Sequence, residues 1–141
     1  RHILEVLDEL RKEGRLKVSG KETQKLTYHD PCQISRRGGV IDEPRRLIDM
    51  FAEDFVEMQD GGKMNWCCGA GGGVSANERA DEIRLKVFDR KKAQLEEIRP
   101  DGIISACSNC RIHLEDGLEE HNMDIPLLSL TETIAEHLAE D

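Results

Sequence analysis

The residues of this sequence with the greatest chemical reach are five cysteines, Cys32, Cys67, Cys68, Cys107 and Cys110. An odd count and an adjacent pair fit a disulfide framework poorly, because neighbouring cysteines close only a strained small ring. Reduced thiolates that bind metal in a cytoplasmic setting fit better. Zinc takes four ligands in a tetrahedron, and a cubane iron–sulfur cluster takes four cysteines, so five thiolates exceed both. The surplus sulfur is either an idle or reactive thiol, or a ligand to a larger, irregular cluster. The ferredoxin run Cys-x2-Cys-x2-Cys-x3-Cys-Pro is absent from the sequence, which counts against an ordinary cubane site.

Four glycines, Gly69, Gly71, Gly72 and Gly73, follow the Cys67-Cys68 pair. Adjacent side chains on extended backbone point to opposite faces, so the two cysteines share a site only if the chain bends. Glycine permits that bend and lets main-chain N–H groups approach anionic sulfur. Helix starts near Ser75 and after Cys107 would add positive dipole ends. A dinucleotide fingerprint is the rival reading of this stretch, but Val74 stands where the third glycine belongs.

The elements that must position these groups alternate between helix and strand, the pattern of an α/β domain with a mainly parallel sheet. Ile3, Leu4, Leu7 and Leu10 mark an opening helix that Gly14 ends. A polar loop over 21–24 leads into a strand over 25–28. Pro44 suits the first turn of a second helix with Leu47, Ile48 and Phe51 inward. A strand over 55–58 is stopped by Asp60-Gly61-Gly62. A long helix capped by Ser75 or Asn77 runs to Ile98, with Ala80, Ile83, Val87, Leu95 and Ile98 inward, and Pro100 ends it. A strand over 102–106 delivers Cys107, and Ser108 or Asn109 caps a helix holding Leu114 and Leu118. A fourth strand over 125–128 and a closing helix from Thr131, with Ile134 and Leu138 inward, complete the chain. Each cysteine group then follows a strand end. In open parallel sheets the carboxyl ends of the strands share one edge, where ligands bind.

A chain of 141 residues suits one domain spanning 1–141 with one real core. It begins at Arg1, already in helix, and reads as the C-terminal piece of a longer iron–sulfur subunit. The formal net charge of −9 opposes a general nucleic-acid role, which needs a basic surface. No apolar run approaches the ~20 residues of a membrane-spanning helix, so direct membrane insertion is not expected. The pairs Arg36-Arg37 and Arg45-Arg46 read either as solvated charge around a helix start or as a docking patch for an anionic partner.

Taken together, Tyr28-His29-Asp30-Pro31-Cys32, Asn65-Trp66-Cys67-Cys68-Gly69-Ala70-Gly71-Gly72-Gly73 and Cys107-Ser108-Asn109-Cys110 resemble the cysteine-rich CCG domain. That domain occurs in heterodisulfide reductase B and D subunits, in the K subunit of the Dsr membrane complex, and in iron–sulfur subunits of glycolate and lactate oxidation. The resemblance covers roughly residues 25 to 138. It implies a Rossmann-like layered fold, and ligation of a non-cubane [4Fe–4S] cluster by Cys32, Cys67, Cys68, Cys107 and Cys110. It also implies cleavage or formation of a disulfide or trisulfide bond, with electrons from other Fe–S clusters. The implied partners are Fe–S or membrane electron-transfer subunits and a thiol or disulfide, small or carried on a protein cysteine. The implied location is the cytoplasm, including the cytoplasmic face of a membrane complex. Family sites differ in carrying iron–sulfur or zinc, so a zinc-stabilised interaction module is one alternative. An electron relay in a glycolate or lactate oxidase-type complex is another.

Among lesser residues, His29 could pass a proton to a departing thiolate or simply bond backbone at a strand end. His113 could replace a cysteine as ligand. Asp30 reads as the cap of the turn at Pro31, and Trp66 as a shield or a hydrophobic anchor. His2, His121 and His137 sit among charges and need no function.

Overall fold

Short apolar runs flanked by amphipathic segments fold, in a computed structural model that describes residues 1–139, into a four-stranded parallel sheet with helices on both faces. The strands are β1 (Glu22–Tyr28), β2 (Ala52–Phe55), β3 (Gly102–Ser105) and β4 (Leu127–Ser129), in the order β2-β1-β3-β4. The helices are α1 (Ile3–Lys12), α2 (Asp42–Ile48), α3 (Asp81–Ile98), α4 (Ser108–Glu120) and α5 (Leu130–Glu136). The expected Rossmann-like α/β layering is therefore the observed one. Registers are set by Thr27 opposite Ile103 and by Ile103 opposite Leu127.

Period-two alternation divides the core. Leu26, Tyr28 and Ile104 join Leu4, Leu47, Ile48, Phe51 and Ile134 on the face covered by α1, α2 and α5. Ile103 faces the other way, onto Phe88, Leu95, Leu114 and Leu118 of α3 and α4. Cys68 and Cys110 are packed into this second cluster. Burial of β3 on both faces explains its unbroken apolar run.

Several boundaries differ from the sequence reading. β1 begins at Glu22, within the expected polar loop, because Glu22 finds a partner in Ala52. β2 lies three residues earlier than expected, since the register puts Asp54 beside Lys25 and Phe55 beside Leu26. Its Glu53 and Asp54 are exposed, and charge on an edge strand discourages pairing with another chain. The long helix starts at Asp81 rather than near Ser75, after two 3-10 turns over Val74–Ala76 and Glu78–Ala80; Asn77 caps the second. Ile83, expected inward, is exposed, and the inward stripe is instead Phe88, Lys91, Gln94 and Leu95. Reading only apolar residues missed the polar members of that stripe. Leu138 is likewise exposed. No helix among the described residues is long and apolar enough to cross a membrane.

Candidate metal centre

The strand order reverses between β1 and β3: the chain leaves β1 for β2 on one side and returns to β3 on the other. In open α/β sheets such a switch point leaves a crevice beyond the carboxyl ends of the two strands, and ligands bind there. Cys32 follows β1 by four residues and Cys107 follows β3 by two. A single π-helical turn, Gln33–Arg37, carries the chain away from Cys32, its Ser35 hydroxyl donating to the Pro31 carbonyl (2.9 Å).

The Cys67-Cys68 loop is tied to this crevice by polar side chains. The Asn65 amide donates to the Asp30 carbonyl (2.6 Å), and Arg36 donates to the Asn65 and Lys63 carbonyls (2.5 and 3.0 Å). The buried Asp30 carboxylate takes both arms of the Arg45 guanidinium (2.9 and 2.8 Å) and the Gly62 N–H (2.8 Å). Asp30 thus clamps two loops together rather than capping the turn at Pro31. Arg45 also pairs with Glu57, and Arg46 with Asp8 and Glu43. Arg36, Arg45 and Arg46 are therefore engaged internally, while Arg37 is exposed and, among the described residues, bonds only the neighbouring Gln33 side chain (3.3 Å). Trp66 anchors the loop to α3 by donating to the Val87 carbonyl (2.9 Å), with Arg90 over its ring at 4.9 Å.

Backbone amides meet the sulfurs at both cysteine pairs. The Gly69 N–H donates to Cys67 Sγ (3.3 Å) and the Cys110 N–H to Cys107 Sγ (3.4 Å). Cys107, not Ser108 or Asn109, is therefore the cap of α4, and its sulfur sits at the positive end of a thirteen-residue helix. Gly69, Gly72 and Gly73 adopt φ of +93°, +68° and +78°, which only glycine takes without strain. Gly71 does not, so its role in bending the loop is weaker than the sequence suggests.

All five cysteines are free thiols; Cys68 and Cys110 are buried, and Cys32, Cys67 and Cys107 half-buried. A ring nitrogen of His29 and the Cys68 and Cys110 sulfurs lie within 4.8 Å of one another. The neighbouring Cys110 and Cys67 thiols hold Cys68 well below the usual thiol range, aided by His29 and the Ala70 N–H. The partners shift the opposite way: Cys67 is pushed up by its contact with Cys68 and by burial, and Cys110 first by Cys107, then by Cys68 and burial. Cys107 is lowered to about 6, first by the Cys110 thiol and then by the Cys110 and Asn109 N–H groups. Cys32 is near enough for its charge to act on Cys67. The structure thus groups Cys68 and Cys110 with His29, while Cys32, Cys67 and Cys107 stand outside that group on the loops that follow the strand ends.

Burial keeps the His29 imidazole neutral against the pull of the Cys68 sulfur. His113 turns away toward α3, where it meets the Arg84 guanidinium, so it is not grouped with the sulfurs. His2 caps α1, while His121 and His137 stack on Phe88 and Phe51. Four buried polar atoms have no partner among the described residues: Thr27 Oγ1, Tyr28 Oη, His29 Nδ1 and Ser105 Oγ. All lie at the carboxyl ends of β1 and β3. Orphaned polar atoms are costly in a native core. Their gathering beside a surplus of sulfur fits a polar, sulfur-rich group held at this edge. The sequence reading identified only His29 among them; their position at strand ends was the available signal for the rest.

The family model of the CCG cysteine-rich domain matches residues 26–115. The D-type subunit of the dihydromethanophenazine:CoB–CoM heterodisulfide reductase of Methanosarcina acetivorans is 33% identical over 138 residues, 97% of this chain and 33% of that protein. The EtfAB:quinone oxidoreductase of Syntrophomonas wolfei is 35% identical over 123 residues, 84% of this chain and 17% of that protein. A Bacillus subtilis protein named "Probable iron-sulfur-binding oxidoreductase FadF" is 34% identical over 117 residues, 82% of this chain and 16% of its own length. The chain therefore spans a third or less of these curated relatives.

Proposed function

This chain belongs to the CCG family of cysteine-rich domains, and on that premise we propose that it is the iron–sulfur domain of an oxidoreductase acting on sulfur–sulfur bonds. In this reading Cys32, Cys67, Cys68, Cys107 and Cys110 hold a non-cubane [4Fe–4S] cluster. The observation that carries it is five free thiols at one sheet edge, one more than zinc or a cubane needs, beside orphaned buried donors. When bound, the cluster supplies single electrons and iron sites with affinity for thiolate sulfur.

The chain's own residues supply the rest. Gly69 and Ala70 N–H groups and the start of α4 stabilise anionic sulfur. Gly72 and Gly73, with Gly71 just before them, let the loop fold over the site. Reduction of a disulfide consumes two electrons and two protons and yields two thiols. His29, neutral and within reach of Cys68, is assigned to relay a proton to a departing thiolate, giving the proton of one ring nitrogen as the other ring nitrogen takes one up. The half-buried Cys32, Cys67 and Cys107 form the accessible side of the site, where a small disulfide or a protein-borne cysteine would approach. Electrons would come from other Fe–S clusters or membrane electron-transfer subunits at the cytoplasmic side.

The EtfAB:quinone relative favours a second reading, in which the domain only relays electrons. Anaerobic, iron-replete expression followed by metal and sulfide analysis tests the cluster: about four iron and four sulfide per chain are expected. One zinc per colourless chain overturns it in favour of an interaction module. An electron paramagnetic resonance signal of the oxidised centre that changes on binding the cognate thiol supports substrate chemistry. An unchanged signal in the whole complex, with its confirmed disulfide substrate, leaves the relay.

A further inference from the structure

Lys91 is a lysine where a lysine is expensive. It lies on the inward stripe of α3 and is 2% exposed. Its Nζ donates to Gln94 Oε1 (2.7 Å) and weakly to Met58 Sδ (3.4 Å), and no carboxylate among the described residues lies within ion-pair distance. A buried ammonium without an anion is costly enough that proteins pair it or remove its charge. The two carboxylates whose fields reach it are already engaged. Asp30 is clamped by Arg45, and Asp60 takes the Arg90 guanidinium (2.5 Å) and the Gln94 amide (3.3 Å). Met58, which Lys91 touches, packs in the same buried cluster as Cys68, and the thiols of Cys68 and Cys67 are the other groups whose charge reaches the ammonium.

We propose that Lys91 is the internal counter-cation of the cysteine centre, a positioning residue that stabilises added negative charge on the sulfur-ligated group without touching it. This rests on the cluster reading above and assigns the charge partner that reading leaves open. Reduction adds an electron, so a fixed cation nearby favours the reduced state and raises the midpoint potential. Burial pulls Lys91 down to about 8, while the attraction of Cys68 and of the two aspartates opposes that fall. The same cation disfavours a charged His29, consistent with a neutral imidazole at the site.

The test uses Lys91→Met, which keeps the stem and removes the charge, and Lys91→Arg, which restores a cation. In the iron-loaded protein, potentiometric titration followed by electron paramagnetic resonance should show the Met variant tenfold or more harder to reduce. For a one-electron couple that is a fall of at least 59 mV, with recovery in the Arg variant. In the cluster-free, reduced protein the Met variant should be at least as stable as the parent, because a buried charge is gone. Its cysteines should also react more slowly with iodoacetamide at neutral pH, since thiolate is less favoured. This last measurement needs no cluster, so it decides the role of Lys91 even if the parent binds zinc and the cluster reading fails. A Met variant with unchanged potential, unchanged thiol reactivity and lower stability would make Lys91 a packing residue and overturn the proposal.

Discussion

The clamp between the Cys32 and Cys67-Cys68 loops rests on one carboxylate, and removing it should be costly. Asp30 accepts two charge-assisted bonds from Arg45 and one from the Gly62 N–H, and its side chain is almost wholly buried. Each bond to a charged group contributes about 1.5–3 kcal/mol net. Arg45 would not be orphaned in Asp30→Ala, because Glu57 and the Ile41 carbonyl still receive it. The Gly62 N–H, in contrast, loses its acceptor in a buried position, at a cost of about 1–3 kcal/mol. The sum, reduced for the retained Arg45 partners, is about 3–4 kcal/mol. Urea denaturation of the reduced, cluster-free protein should show this as a lower midpoint with unchanged slope. Glu57→Gln is the control: its carboxylate is 47% exposed and should cost less than about 1 kcal/mol. An Asp30→Ala loss below about 1 kcal/mol, equal to the control, would refute the clamp.

Four further substitutions probe other parts of the structure. Gly72→Val should lower iron content while Gly71→Val changes it little, because only Gly72 has a positive φ and both have open space around them; equal loss in both would remove the backbone argument. Gly117→Ala should destabilise by about 1–3 kcal/mol, since a Cβ there would meet the fully buried Phe88 ring; an unchanged thermal midpoint contradicts this packing. Asp8 is held below the usual carboxylate range, first by its hydrogen bond from Arg46, so its contribution is present above roughly pH 4 and is lost as pH falls through its folded value. Asp8→Asn should therefore cost about 2 kcal/mol at neutral pH and progressively less in acid; a pH-independent cost refutes the ionic role.

How far the fold could be read in advance depended on whether local pattern decided the element. β3 was legible because Gly102-Ile103-Ile104-Ser105 is buried on both faces and bounded by Pro100 and Cys107. β2 was not, because Ala52-Glu53-Asp54-Phe55 gains its strand character from β1 beside it, a partner about thirty residues away. The beginning of α3 failed for a related reason. Ser75 and Asn77 both look like caps, but the glycine loop must stay irregular to hold sulfur, so two 3-10 turns precede the helix.

The site divides along the same line. The cysteines announce themselves through type and spacing, and strand ends supply the edge on which they gather. The residues that hold them there do not, because their partners are distant: Asp30 with Arg45, Asn65 with the Asp30 carbonyl, Lys91 with the sulfur loop. Each of these is an ordinary surface type whose burial follows only from the assembled sheet. An inward helix stripe read solely from apolar residues discards Lys91 and Gln94, which hydrogen-bond to each other in the interior. Where hydrophobic periodicity on a helix beside a candidate site is interrupted by a lone cation, the interruption is itself a signal. Such a charge stays inside where something anionic meets it, and is otherwise lost with its proton; for Lys91 the proposed partners are the thiolates of the cysteine centre.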